Sequence, residues 1–176
     1  MPKTKLVLPE HFTFTTDIPI RITDLNYGGH VGNDSVLSIL HEVRMQFLRH
    51  HGYTELDLAG TGMIMADVTI EFRSEVFYGE TLKASVAAAE FSRVGFDVYY
   101  KLEKQTEGKN VRTPSSDLLR HGAPRPEPSQ SPVPDDEPLV HSWTTVAVAR
   151  TGMVCYNYHQ KKIVSVPKEV CTRLLS

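Results

Sequence analysis

The alternation of apolar and polar residues near the start of the chain predicts a β-strand. Apolar side chains occupy every second position from Phe12 to Ile22 except Thr16, and the positions between them are mostly polar. A period of two residues is typical of a strand with one buried face. The first predicted element is therefore a strand over residues 12–23.

The pattern then changes to the period of a helix. Apolar residues recur at i, i+4, i+7 and i+11, at Val36, Leu40, Val43 and Phe47. Additional apolar neighbours widen this face, so we expect a helix that is covered by a sheet. Asn33 or Asp34 is the predicted N-cap and Gly52 the predicted stop, which gives about 18 residues or about 27 Å.

The remainder of the chain reads mainly as strands. Alternating segments separated by turn residues predict strands over 64–72, 81–91, from 96 to beyond 102, over 144–158 and over 162–166, before a last helix over 167–175. One long helix followed by antiparallel strands indicates an α+β fold in which the sheet covers the helix. We expect a single domain over residues 1–176.

Residues 110–142 differ from the rest in composition. They contain seven of the eleven prolines, and such a segment neither pairs in a sheet nor buries much surface. We predict an exposed, disordered insertion in a hairpin. A proline-rich docking segment for an aromatic groove is the alternative.

Composition excludes several partners and compartments. Hydrophobic residues make up 40% and charged residues 23%, with a formal net charge of -2 and no cluster of Lys or Arg. This argues against nucleic acid or a membrane as a partner. No secretory signal is apparent, and Cys155 and Cys171 are too few for a disulfide framework, so we expect a cytoplasmic protein whose cysteines are packing residues.

Candidate chemistry is concentrated immediately before the long helix. Polar residues and adjacent glycines crowd one short run, "DLNYGGHVGND", over residues 24–34. A helix N-terminus offers partial positive charge and unpaired N–H donors, which suit a carbonyl oxygen that becomes negative in a transition state. The alternative is that these residues only form an Asx turn and a helix cap.

This run, the helix "LHEVRMQFL" after it, and the order of elements resemble the 4-hydroxybenzoyl-CoA thioesterase branch of the hotdog superfamily. The likeness covers nearly the whole chain except the proline-rich insertion. It implies a hotdog fold, with a long central helix wrapped by a curled antiparallel sheet. It also implies a homodimer or homotetramer that hydrolyses an acyl-CoA thioester near a subunit boundary, without a metal or bound cofactor.

The chain departs from that pattern at one important position. The resemblance places the usual catalytic carboxylate at the second Asp of Asp-x-Asp, and this chain has Asn26 there and Asp24 at the first position. Asparagine cannot act as a base. The base would then be Asp24 or His30, with Glu42 and Asp67 as further candidate carboxylates. The simpler expectations are that Glu42 pairs with Arg44 or Arg49 and that Asp67 is solvent-exposed.

The remaining candidate residues concern substrate binding. Backbone N–H groups from Gly29 to Val31 are expected to hold the thioester carbonyl, with Asn33 beside them. Tyr27 is a candidate for the acyl pocket. By resemblance, Arg93 lies in the turn near the pantetheine or nucleotide.

Three functions are compatible with these residues. The first is an acyl-CoA thioesterase. The second is a hotdog enoyl-CoA hydratase, whose Asp-x-Asn-Pro-x-His motif is echoed here, although Tyr27 replaces the proline and His30 lies one residue too far along. The third is a catalytically inactive hotdog protein that binds an acyl ligand.

Overall fold

A computed structural model describes residues 5–106 and 142–176. The chain divides into two compact units, Met1–Lys104 with Thr144–Ser176, and Gln105–Trp143. Most of the second unit, and with it almost all of the predicted insertion over 110–142, lies outside the described residues. All of the candidate residues belong to the first unit.

The described elements follow the predicted order. They are β1 (Phe14–Pro19), a short 3-10 helix (Ile22–Asp24), α1 (Asn33–His50), β2 (Gly62–Phe72), β3 (Thr81–Ala89), β4 (Gly95–Thr106), β5 (Ser142–Asn157), β6 (Lys162–Ile163) and α2 (Lys168–Leu174). The strands form one sheet in the order β1-β3-β4-β5-β2, and β6 pairs with the end of β5.

The core lies between α1 and one face of this sheet. Leu40, Val43 and Phe47 of α1 are completely buried and share a hydrophobic cluster with sheet residues such as Val98 and Ala147. Burial of such side chains is worth about 1.5–3 kcal/mol each. The α+β class and the central helix packed on an antiparallel sheet are thus confirmed.

The first strand is shorter than predicted. β1 ends at Pro19, and Ile22, expected on the buried face, is exposed in the 3-10 helix. The reason is local, because the Arg21 N–H donates to Asp24 Oδ2 at 2.8 Å and the Asp24 N–H donates to the Arg21 carbonyl. These bonds close a turn that replaces further strand pairing.

The predicted N-cap of α1 is wrong by one or two residues. Gly32 is the N-cap, and Asn33 is already the first helical residue. A Cβ at position 32 would overlap the Asp34 carboxylate, so glycine allows Asp34 to lie back over the start of the helix. At the other end the prediction is confirmed, since Gly52 follows the helix with φ of 80°.

A buried polar network links α1 to the loop before β2. Arg44 is only 5% exposed, and its Nε donates to Glu55 Oε1 at 2.7 Å. His41 Nε2 lies 3.0 Å from the other oxygen of Glu55. Deeper in the core, the hydroxyls of Tyr100 and Thr151 lie 3.1 Å apart. The network ties the helix to its neighbours through groups that are costly to leave unpaired.

β2 forms one edge of the sheet and carries exposed apolar side chains. It is 11 residues long, and its Ile64, Met65, Val68 and Phe72 are between 36% and 50% exposed. Long apolar edge strands favour pairing with another chain.

Candidate active site before helix α1

The turn before α1 is organised by Asn26. Its Oδ1 accepts a hydrogen bond from the Gly28 N–H at 2.8 Å, and its carbonyl accepts the Gly29 N–H at 3.0 Å. Its own N–H donates to the His30 carbonyl at 2.9 Å. The Asx turn expected from the sequence is therefore present, and it fixes His30 relative to Asn26.

The two adjacent glycines meet different requirements. Gly29 has φ of 78°, which side chains disfavour. Gly28 is instead needed for space, since a Cβ there would lie 3.1 Å from both Asn26 Oδ1 and His30 Nε2. Together they permit a tight turn directly against the imidazole ring.

His30 faces a cavity at the start of α1. Its Nδ1 lies 3.2 Å from the Val31 carbonyl oxygen and 3.4 Å from Asn26 Nδ2, while its Nε2 lies 4.0 Å from Glu75 Oε1. The cavity has a volume of about 250 Å³ and is lined by His30, Val31, Asn33, Val36, Phe72, Arg73, Ser74, Glu75, Val76 and Val146. An imidazole, a helix N-terminus and a carboxylate therefore line the same cavity.

Asp24 and Glu42 line a different cavity. It has a volume of about 270 Å³ and is lined by Asp17, Ile18, Pro19, Arg21, Asp24, Ser38, Ile39, Glu42 and Gln46. Glu42 accepts a hydrogen bond from Gln46 Nε2 at 2.8 Å. The expected pairing of Glu42 with Arg44 or Arg49 is wrong, because Arg44 points into the core and pairs with Glu55.

Two of the expected oxyanion donors are already engaged. The Gly29 N–H donates to the Asn26 carbonyl, and the Val31 N–H donates to the Val76 carbonyl at 2.9 Å. Neither N–H can bind a thioester carbonyl unless its backbone hydrogen bond breaks. The expectation that the Gly29 and Val31 N–H groups form the oxyanion site is therefore wrong for the single chain. The backbone N–H of His30 has no backbone hydrogen-bond partner among the described residues. His30 and Phe77 form an isolated antiparallel bridge, and they lie opposite each other as a pair that exchanges no hydrogen bonds.

The other candidate residues, Asp67, Arg93 and Tyr27, do not line the cavity that His30 faces. Asp67 is half exposed, as expected, but forms an ion pair with Arg150, which also donates to Asp97 at 2.8 Å. Arg93 is exposed in the β3–β4 turn, and Tyr27 is fully exposed.

The packing of Cys155 affects the pKa of its thiol. Cys155 is buried, and this burial raises the pKa of its thiol, with a smaller opposing contribution from Thr61. A thiol with a raised pKa is a poor nucleophile at neutral pH, which agrees with the expected packing role.

Within the described ranges, no group of three or more His, Cys, Asp and Glu is arranged to hold a metal ion.

Glu75 is the residue that sequence reasoning missed. It lies between β2 and β3, 45 positions after His30, and no motif marks it. Only the antiparallel contact of residues 30–31 with residues 76–77 brings it to the imidazole.

Comparison with known proteins places the chain in a family. The model of the thioesterase-like superfamily matches residues 20–174. This chain belongs to the thioesterase-like superfamily. No curated protein sequence matches it. Neither α1 nor α2, the helices of the described residues, is long and apolar enough to cross a membrane.

Solved structures of this superfamily share the fold. A 1,4-dihydroxy-2-naphthoyl-CoA thioesterase from Synechocystis is 15% identical, with a TM-score of 0.63 over 92% of this chain and 94% of its own. An Asp-to-Asn mutant of 4-hydroxybenzoyl-CoA thioesterase, complexed with 4-hydroxybenzoyl-CoA, is 14% identical with a TM-score of 0.64 over 92% of this chain and 97% of its own. These structures confirm the predicted hotdog fold, and the family model confirms the predicted resemblance to thioesterases of this superfamily.

Proposed function

We propose that the protein is an acyl-CoA thioesterase whose active site is the cavity before α1. The observation that carries the proposal is the shared cavity of His30 and the start of α1, in a chain of the thioesterase-like superfamily. Coenzyme A enters as part of the substrate, and the proposal requires no metal or separate cofactor.

The start of α1 supplies the positive end needed for a thioester carbonyl. The Val36 N–H donates to the Gly32 carbonyl, so the N–H groups of residues 33–35 are the unpaired donors of the first turn. Asn33 lines the cavity, and the His30 N–H adds a further donor beside it. Such donors stabilise a developing oxyanion.

His30 is better placed than Asp24 to promote attack by water. The Asp24 carboxylate accepts the Arg21 N–H and lines the other cavity, whereas the His30 ring faces the cavity before α1. An imidazole changes protonation near neutral pH and needs little tuning to act as a base. We assign Asp24 to holding the turn and His30 to the reaction.

The roles of the remaining binding residues are proposed from their positions. Arg93 is an exposed cation suited to bind a phosphate of coenzyme A. Tyr27 is an exposed ring suited to contact the acyl group or to line the entrance of the acyl pocket. Glu42 and Asp67 already have partners, Gln46 and Arg150, and are assigned no step.

We also propose that two copies pair through β2. No other described strand pairs with the outer edge of β2. That edge and its exposed apolar residues would be covered by the same strand of a partner, as expected for hotdog proteins. Phe72, the last residue of β2, lines the cavity together with Arg73 and Ser74, which follow it. The proposed interface would therefore adjoin the proposed active site.

Substitution of Val68 by lysine should weaken this dimer. A charge on the apolar edge must lose its hydration on pairing, so we expect a shift from dimer to monomer in sedimentation or light scattering. Leu56→Lys is the matched control, since Leu56 is an exposed apolar residue outside the sheet. A Val68→Lys protein with the wild-type mass distribution would contradict β2 pairing.

Thiol release from short, medium, long and aromatic acyl-CoAs tests the reaction. We expect the wild type to release free thiol from at least one member of the panel. A 2-enoyl-CoA is assayed beside the panel, and its loss without thiol release would instead indicate hydration, since hydration leaves the thioester intact. No reaction in the wild type, with hydrolysis appearing in Asn26→Asp, would indicate a binding protein that has lost its catalytic carboxylate.

A further inference from the structure

We propose that Glu75 is a catalytic residue, and that it and His30 together hold the water that attacks the thioester. This inference rests on the proposed thioesterase function and supplies the carboxylate that the motif lacks at Asn26. Glu75 comes from the β2–β3 connection rather than from the polar run before α1.

The contacts of the imidazole determine which nitrogen faces the cavity. Nδ1 lies 3.2 Å from the Val31 carbonyl oxygen, which can only accept, and at the longer distance of 3.4 Å from Asn26 Nδ2. The Nδ1 proton therefore belongs in the bond to Val31. This leaves the Nε2 lone pair directed toward Glu75 and available to take a proton.

The separation of Nε2 and the Glu75 carboxylate fits one water molecule. A gap of 4.0 Å is too long for a direct hydrogen bond. Two hydrogen bonds of about 2.8 Å span that gap with an angle of about 90° at the shared oxygen. This is close to the angle between the two O–H bonds of water, so one water can donate to both groups and keep a lone pair for the substrate.

The backbone holds Glu75 in this position. The next residue, Val76, is buried, and its carbonyl accepts the Val31 N–H at 2.9 Å. The following residue, Phe77, faces His30 across the isolated bridge. Glu75 and His30 are thus carried by two segments that are bonded to each other.

Glu75 also differs from the neighbouring glutamates. Glu71 pairs with Arg73, and Glu80 pairs with Lys104, so both carboxylates have strong partners. In the part of the chain that the structure describes, His30 is the only ion-pair partner of Glu75, whose side chain is 67% exposed. Its carboxylate is therefore accessible to water and substrate.

The proposed step is a balanced hydrolysis. The water oxygen bonds to the thioester carbon as His30 Nε2 takes one water proton, and the carbonyl electrons move to its oxygen at the start of α1. The Glu75 carboxylate accepts the second hydrogen bond of the water and stabilises the imidazolium. Collapse of the intermediate breaks the C–S bond, and the proton on Nε2 passes to the thiolate, giving free thiol and a carboxylic acid.

The test uses Glu75→Gln, Glu75→Asp and Glu75→Ala in the full chain with the acyl-CoA that the wild type hydrolyses fastest. We expect Glu75→Gln to lower kcat by about 10²-fold with a nearly unchanged KM, because loss of one group that stabilises charge in the transition state typically costs about 10²–10³-fold in kcat. Glu75→Asp should retain part of the activity, and added formate or acetate should raise the rate of Glu75→Ala. Glu10→Gln, an exposed glutamate before β1, should match the wild type.

The outcomes separate the two proposals. Wild-type turnover with unchanged kcat in Glu75→Gln, or Glu75→Ala that formate and acetate do not rescue, overturns the role of Glu75 and leaves the thioesterase standing. No thiol release by the wild type overturns the proposed function itself, and the role of Glu75 with it. Circular dichroism of each variant shows that its fold is kept.

Discussion

Replacement of His30 by alanine is expected to lower kcat for thioester hydrolysis by about 10²–10⁴-fold, the usual contribution of a general base. His30 provides the only imidazole among the described residues that line the cavity before α1, and Asn26 cannot act as a base in its place. The measurement is thiol release under saturating substrate, with KM determined in parallel. A loss confined to KM would assign His30 to binding rather than to proton transfer.

A second histidine provides the control for this substitution. His159→Ala removes an exposed imidazole from the β5–β6 turn, in a part of the chain that does not line the cavity. We expect its kcat to stay within about twofold of the wild type. Wild-type activity in His30→Ala would place the base elsewhere and contradict the proposed mechanism.

Replacement of Glu55 by alanine is expected to destabilise the protein by about 3–5 kcal/mol, the typical cost of removing one partner from a buried ion pair. Arg44 would keep its charge, because an arginine guanidinium stays protonated in proteins. In the native protein, burial lowers its pKa, but Tyr100 and Glu55 raise it by more. The Arg44 side chain is 5% exposed and would lose the 2.7 Å bond from Nε. The unfolding midpoint in urea, with an unchanged slope, measures this loss.

An ion pair with a more exposed cation provides the comparison. Lys101 Nζ and Glu103 Oε1 also lie 2.7 Å apart, but the Lys101 side chain is 34% exposed, against 5% for Arg44, while Glu103 is 14% exposed. Lys101→Ala should lower the free energy of unfolding by no more than about 1 kcal/mol.

The double variant Arg44→Met with Glu55→Gln should recover part of the stability lost in Glu55→Ala, because it removes the unpaired buried charge. Equal effects of Glu55→Ala and Lys101→Ala would contradict a structural role for the buried pair.

Much of the fold follows from local patterns that the sequence contains in full. The period of Val36, Leu40, Val43 and Phe47 predicts α1, because side chains three and four residues apart share one helix face. Gly52 marks its end through a backbone conformation that favours glycine. The errors occur where short-range hydrogen bonds compete with a pattern, as at Arg21 and Asp24, which close a turn instead of extending β1.

The candidate site also contains features that local sequence predicts and features that it does not. Asn26, Gly28, Gly29 and His30 are neighbours in sequence, and the turn that they form depends on residues within that run. The family resemblance rests on this run and on the order of elements, and the match over residues 20–174 confirms it.

By itself, then, the sequence determined the elements, their order, the family and the polar turn before α1, because each depends on residues close together in the chain. Only the tertiary structure decided that Asp24 and His30 face different cavities and that Glu75 lies beside His30 Nε2. The helix geometry fixes the relative positions of side chains three residues apart. Residues 30 and 75, in contrast, come together only because distant segments of the chain pair. Periodicity carries no information about such pairing, since many registers would satisfy the same alternation.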